Sequence, residues 1–180
     1  IEEIAKFLFE NDTRLNKKQL GLLLCNPKET KLLSTFMNNF NFNTLRVDEA
    51  LRILLTKFRL PGKSQQIERI VEAFSKRYVK SQQYTEPIYE NSEEHTSQIQ
   101  PDFDSVFVLS YSIIMLNTDL HNPQVKEHMS FEDYSNNLKG CYNSHHDYPV
   151  WFLTKIYNSI EDKEIVMPEE HHGSGEWFDD

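Results

Sequence analysis

The chain has 180 residues, which makes one large domain or two small ones and is ample for a hydrophobic core. A hydrophobic fraction of 38% and a charged fraction of 26% are ordinary for a soluble globular protein. The formal net charge of −9 argues against nucleic acid as a partner, because phosphate binding needs a basic surface, and gives no reason to expect this domain to insert into an anionic membrane.

Only five Gly and seven Pro interrupt the chain, and apolar residues recur at helical spacing almost throughout. Ile4, Leu8 and Phe9 open the series, followed by Leu20, Leu23 and Leu24, then Leu32, Leu33, Phe36, Met37 and Phe40. Val47, Ala50, Leu51, Leu54, Leu55 and Phe58 form one stripe, and Ile67, Ile70, Val71, Phe74 and Tyr78 another. Start signals sit between them: Asn16 before the second helix, Pro27 near the start of the third, and Asp147 with Pro149 before a helix at about 150 to 160. No segment alternates with period two for long enough to make a strand, so the fold class is all-α. Tyr84 to Pro101 is polar and acidic without periodicity and reads as a surface connector. Residues 168–180 read as a linker leaving the domain. The chain opens mid-pattern at Ile1, with no initiator Met and no signal-peptide pattern, so it reads as a domain cut from a longer protein.

Two segments stand out. Leu60-Pro61-Gly62 links two helices: Pro61 disfavours helix at Leu60, Gly62 permits a close turn, and Lys63 is presented at a helix N-terminus. An ordinary turn with a surface lysine satisfies the same residues. A cation there opposes the helix dipole by roughly 0.3–1 kcal/mol, a small local conflict of the kind that marks functional positions. The second segment begins at Asp102 and Asp104, either of which can cap the helix that follows. At about 100° per residue, Phe103, Val106, Ser110, Ile113 and Asn117 fall on one side, while Val108, Tyr111, Ser112, Met115 and Asp119 fall on the other. Ile114 and Leu116 fill the flanks. Either the helix is buried all round, or one side packs in the core and the other lines an exposed groove. Tyr and Met suit such a surface, and Val106 and Ile113 then belong to the core.

Cys25 and Cys141 give no disulfide framework, which favours a reducing compartment. No run of about 18 apolar residues exists. The His145-His146 and His171-His172 pairs, and Cys141 with His145, lack a second ligand pair at zinc spacing, so no metal site is assigned. There is no Gly-rich phosphate loop and no nucleophile–base arrangement, so neither a nucleotide cofactor nor a hydrolase is supported.

The stretch from Phe58 to Gln66, taken with the run from Leu109 to Pro123, resembles the Sec-seven family, whose members drive nucleotide exchange on the small GTPase Arf. The resemblance extends from the first helix to about Pro168. It implies about ten helices in an elongated right-handed superhelix, with residues 1–167 as a single catalytic domain. It implies Arf–GDP as partner, bound through Leu60, Pro61, Gly62, Tyr111, Ile114, Met115 and Asn122, and a protein that is cytoplasmic and peripheral to Golgi membranes at full length. Family members carry a glutamate directly after Leu-Pro-Gly, which enters the GTPase nucleotide site and expels GDP; here the residue is Lys63. The resemblance therefore implies a domain that docks but fails to expel nucleotide. Residues 42–59 and 64–69 look closest to the large Golgi-type exchange factors. Tyr111, Ser112, Asp119 and Met129 match the set of members sensitive to brefeldin A, a macrolide that wedges between exchange factor and Arf–GDP, although Tyr111 and Met129 also suit plain packing. A non-catalytic helical adaptor using the same groove remains the alternative.

Overall fold

A computed structural model describes residues 1–83 and 99–166. Eight α-helices span Glu2–Glu10 (α1), Lys17–Leu24 (α2), Thr30–Met37 (α3), Val47–Leu54 (α4), Ser64–Ser81 (α5), Phe103–His121 (α6), Phe131–Asn137 (α7) and Val150–Asp162 (α8). Among the described residues two single-turn 3-10 helices, at Asp12–Arg14 and Pro27–Glu29, accompany these eight α-helices, where about ten helices were expected. Among the described residues there is no strand; Tyr142 and His146 form one isolated antiparallel bridge. The tail from residue 168 and most of the acidic connector lie outside the described residues.

The start signals act as the sequence indicates, with one change. Asn16 caps α2 by accepting the Gln19 N–H, and Pro149 immediately precedes α8. Pro27 lies near the start of α3, as expected, but in an element of its own. The Asn26 side chain accepts the Lys28 N–H, closing a separate 3-10 turn, and α3 begins only at Thr30. Asp102 rather than Asp104 caps α6, with its carboxylate accepting from both the N–H and the hydroxyl of Ser105.

The core is continuous and strongly aromatic. Phe36, Phe42, Phe58 and Phe74 are fully enclosed, with Phe9 and Phe40 meeting Phe36 edge-on. The α5 stripe of Ile67, Ile70, Val71, Phe74 and Tyr78 is buried as its spacing predicts. Helix α6 lies at the centre, packed against α5, α4 and α8. Asn117, on its inner side, is held by donating to the Ile165 carbonyl (3.0 Å) and accepting the Ile165 N–H (2.8 Å), which ties the segment after α8 back to the middle of the fold.

Candidate functional site

The stripe from Val47 to Phe58 reads as one helix, yet α4 stops at Leu54 and the chain then runs irregularly to Lys63. Phe58 and Leu60 turn inward and are buried. Lys57 and Arg59, on either side of Phe58, turn to the α1–α2 junction. The Lys57 ammonium pairs with Asp12 (3.2 Å) and donates to the Phe9 carbonyl (3.0 Å). The Arg59 N–H donates to the Lys17 carbonyl (3.1 Å). Beyond Leu60 the loop leaves this support, and Gly62 and Lys63 are exposed. Lys63 has extended backbone at the N-terminal boundary of α5, and its side chain makes no capping bond. Gly62 does not adopt the left-handed conformation, so the turn itself does not demand a glycine. A Cβ added at Gly62 would meet no atom within 4 Å. The free space there faces outward, where another molecule's backbone can approach closely.

Helix α6 has the two faces its sequence suggests. Val106 and Ile113 are enclosed, whereas Val108 and Met115 are 40% and 41% exposed. Tyr111, Ser112 and Asp119 are half-buried on the same outer side. Ile114 departs from expectation: it is only 6% exposed and belongs to the core, because its flank position is covered as well. Leu60, also assigned to partner contact, is 8% exposed and anchors the loop instead. Any contact these two make can involve only an edge of the side chain.

Of the four residues expected to meet an inhibitor, Asp119 and Met129 bond to each other at the junction of α6 with α7, and Ser112 reaches Tyr134 of α7. The Asp119 carboxylate accepts the Met129 N–H (2.6 Å) and its carbonyl lies 2.7 Å from His128 Nδ1. Met129 in turn offers its carbonyl to the Tyr157 hydroxyl (2.6 Å). Ser112 donates to the Leu109 carbonyl (2.6 Å) and shares a 3.0 Å hydrogen bond with the hydroxyl of Tyr134. Asp119 and Met129 help line an open cavity of about 670 Å³ with Glu127, His128, Asp133, Asn136 and Asn137; Tyr111 and Ser112 are not among its walls. Asn122 ends α6 with its N–H on the Thr118 carbonyl and its side-chain oxygen accepting the Gln124 N–H, so it shapes the loop that follows.

Two contributors escape sequence reading. Tyr134 is fully buried, and burial pushes its phenol well above the ordinary range while the Ser112 hydrogen bond works the other way. Its isolated position in a polar stretch gives no periodic signal. Gly21 sits inside α2, where glycine is a poor helix former, and that misfit was the one available clue. Among the described residues, no group of three or more His, Cys, Asp or Glu side chains is placed to hold a metal ion. Both cysteines are free thiols, and burial pushes Cys25 up to about 11 against a smaller opposing influence of Arg69.

The structure thus defines an all-helical domain with a charged loop projecting at one end of α5 and a half-exposed apolar face along α6. Residues 1–165 match the family profile of the Sec7 domain, and the chain belongs to that family. It is 66% identical over 180 residues to ARF guanine-nucleotide exchange factor 2 of Saccharomyces cerevisiae, covering 99% of this chain and 12% of that protein. It is 36% identical over 164 residues to the Caenorhabditis elegans homolog of a Golgi-specific brefeldin A-resistance guanine nucleotide exchange factor, covering 89% of this chain and 8% of that protein. The chain therefore spans about an eighth or less of the length of these relatives. Among solved structures, a Sec7 domain bound to ARF1–GDP and complexed with brefeldin A superposes with a TM-score of 0.81 at 66% identity, covering 93% of this chain and 78% of that one.

Proposed function

We propose that this domain docks an Arf-family GTPase in its GDP form through the outer face of α6 and the loop at 60–63, and that Lys63 leaves it unable to expel the nucleotide. The observation that carries this reading is the loop itself. It is fastened up to Leu60 and then projects an unpaired charge, among the described residues, beside a glycine with open space around it. A relative of known structure holds ARF1–GDP, which supports the same partner here.

The chemistry follows from the sign of that charge. A carboxylate brought to the β-phosphate and its magnesium repels the one and competes for the other, so GDP leaves. An ammonium group attracts the phosphate and takes over part of the metal's role. At 4 Å and an intermediate dielectric each unit interaction is worth about 4 kcal/mol, so reversing the sign changes the outcome and not merely its rate. Docking depends on α6 and survives. The domain therefore forms a complex that keeps its GDP.

Brefeldin A then fits as a ligand of the joint interface, near Tyr111, Ser112, Asp119 and Met129. Within a full-length protein the domain, ending near residue 167, works in the cytoplasm at the Golgi surface; none of its described helices is long and apolar enough to cross a membrane. The adaptor alternative draws on the same Lys63, since a groove without an expelling carboxylate is a scaffold. The test is to mix the domain with Arf loaded with labelled GDP and separate complexes by size. Co-elution of both proteins with the label is expected. Absence of a complex refutes the docking reading, and a complex stripped of GDP refutes the role given to Lys63.

A further inference from the structure

Gly21 touches the stretch of chain that leads into the loop ending at Lys63. It is buried in the middle of α2, and a Cβ built on it would stand 2.0 Å from the Arg59 carbonyl oxygen and 3.2 Å from the carbonyl carbon. Those are backbone atoms, which cannot swing aside as the end of a side chain can. Next to this contact the Arg59 N–H donates to the Lys17 carbonyl (3.1 Å), and the Lys17 ammonium donates to the Thr56 carbonyl (2.6 Å). Asp12, almost buried, pairs with Lys17 (3.4 Å) and Lys57 (3.2 Å) together. The segment following α4 is thereby held from the α1–α2 side at Thr56, Lys57 and Arg59.

We infer that Gly21, Asp12 and Lys17 are positioning residues for the 60–63 loop, forming a backbone clamp that fixes where the residue at position 63 is delivered. The inference rests on the proposed exchange function for its consequence, but its geometry stands within this chain. Clearing a Cβ at position 21 needs a retreat of about 1 Å or more to reach ordinary contact distance. Between Arg59 and Lys63 the burial of Leu60 holds the loop to the core, and the Lys63 carbonyl accepts the Ile67 N–H (2.9 Å) at the start of α5, so such a shift reaches Gly62 and loads the joint at Lys63. A misplacement of about 1 Å at a reacting group costs on the order of 100-fold in rate. The α6 face lies on a separate element and keeps its docking surface. Asp12→Asn keeps the shape but drops both ion pairs, so it loosens the clamp without the steric shift.

The test uses Gly21→Ala and Asp12→Asn, each in this chain and in its Lys63→Glu form, with Ile156→Val in α8 as a destabilised control away from the loop. Amide hydrogen exchange read by NMR reports the clamp without any partner. The Arg59 N–H is expected to exchange at least about tenfold faster in both clamp variants while α8 amides keep their rates. In the Lys63→Glu form, kcat for GDP release from Arf is expected to fall about 100-fold for Gly21→Ala with KM within about twofold, and Ile156→Val to leave kcat unchanged. An unchanged Arg59 amide overturns the clamp, and so does a kcat loss that merely tracks thermal stability across all three variants. If the Lys63→Glu parent releases no GDP at all, the proposed function falls, and the Arg59 amide alone decides whether the clamp fixes the loop.

Discussion

Ile113 and Met115 are two residues apart on α6, yet truncating each to alanine should disturb different properties. Ile113 is wholly enclosed between α6 and its neighbours. Its truncation removes three carbons from a packed interior and leaves a cavity, at a cost of about 2–5 kcal/mol. For a domain of this size each kcal/mol lowers the unfolding midpoint by about 2–4 °C, so the midpoint should fall by about 4–20 °C. Met115 is 41% exposed, and alanine is the better helix former, so the loss there should stay within about 1 kcal/mol and 4 °C. Binding should respond in the opposite order. A flexible thioether at the centre of a partner-facing surface is worth about 1–2 kcal/mol when lost, roughly 5- to 30-fold in Kd for Arf–GDP, whereas Ile113→Ala should bind nearly normally below its melting range. Thermal unfolding by circular dichroism and a fluorescence titration with Arf–GDP measure the two properties. A larger thermal loss for Met115→Ala than for Ile113→Ala, or unchanged Arf affinity in Met115→Ala, would refute the assignment of the two faces.

Three further outcomes are expected. Lys63→Glu should speed GDP release from Arf by orders of magnitude over the present chain in a stopped-flow assay, and should stabilise the domain by about 0.3–1 kcal/mol by replacing a cation with an anion at the α5 N-terminus; equal release by both forms would remove Lys63 from the nucleotide site. Brefeldin A should raise the affinity of this chain for Arf–GDP, and Tyr111→Phe should weaken that drug effect while Arf binding persists; Ser112→Ala should also cost about 1–3 kcal/mol of stability, because it strips the buried Tyr134 hydroxyl of its partner, so a full drug response in Tyr111→Phe or an unaltered melting curve in Ser112→Ala would contradict the arrangement. Iodoacetamide at pH 8 should modify the half-exposed Cys141 and spare Cys25, whose thiol, raised to about 11, carries almost no thiolate below pH 9; labelling of Cys25 at a comparable rate by mass spectrometry would refute its enclosure.

The helices were legible because their signal is local. Stripes such as Ile67 to Tyr78 and caps such as Asn16 and Asp102 depend on neighbours a few residues away, and those are written in order along the chain. The two faces of α6 were legible for the same reason, since angular position follows from counting. Ile114 shows where counting stops: a flank position is covered or open according to what packs beside the helix, which no single-helix count contains. The end of α4 at Leu54 was illegible for a related reason. Leu55 and Phe58 continue the apolar stripe, but they reach the core from an irregular chain that is bonded to Asp12 and Lys17 from an earlier part of the sequence. Tyr134 belongs to the same class of omission, because its meaning lies in a hydroxyl on α6 more than twenty residues away.

The proposed function puts docking and expulsion on different elements, so a reversed charge at position 63 should leave the fold intact. Lys63 is exposed, begins a helix without capping it, and adjoins a glycine whose Cβ side is empty. Nothing internal to the domain selects its identity, beyond a dipole preference of about 0.3–1 kcal/mol that disfavours lysine. The α6 face is the converse. Two of its half-buried residues are seated within the domain, Ser112 on Tyr134 and Asp119 on Met129, so these are fixed before any partner arrives. A preorganised face loses little freedom on binding, and its affinity does not depend on the chemistry performed elsewhere. On that proposal the residue at position 63 decides only what happens after docking. Under the proposed function, a carboxylate would turn the binding energy gathered on α6 against the nucleotide, whereas an ammonium would add to the nucleotide's own hold and leave the assembly at the step before release.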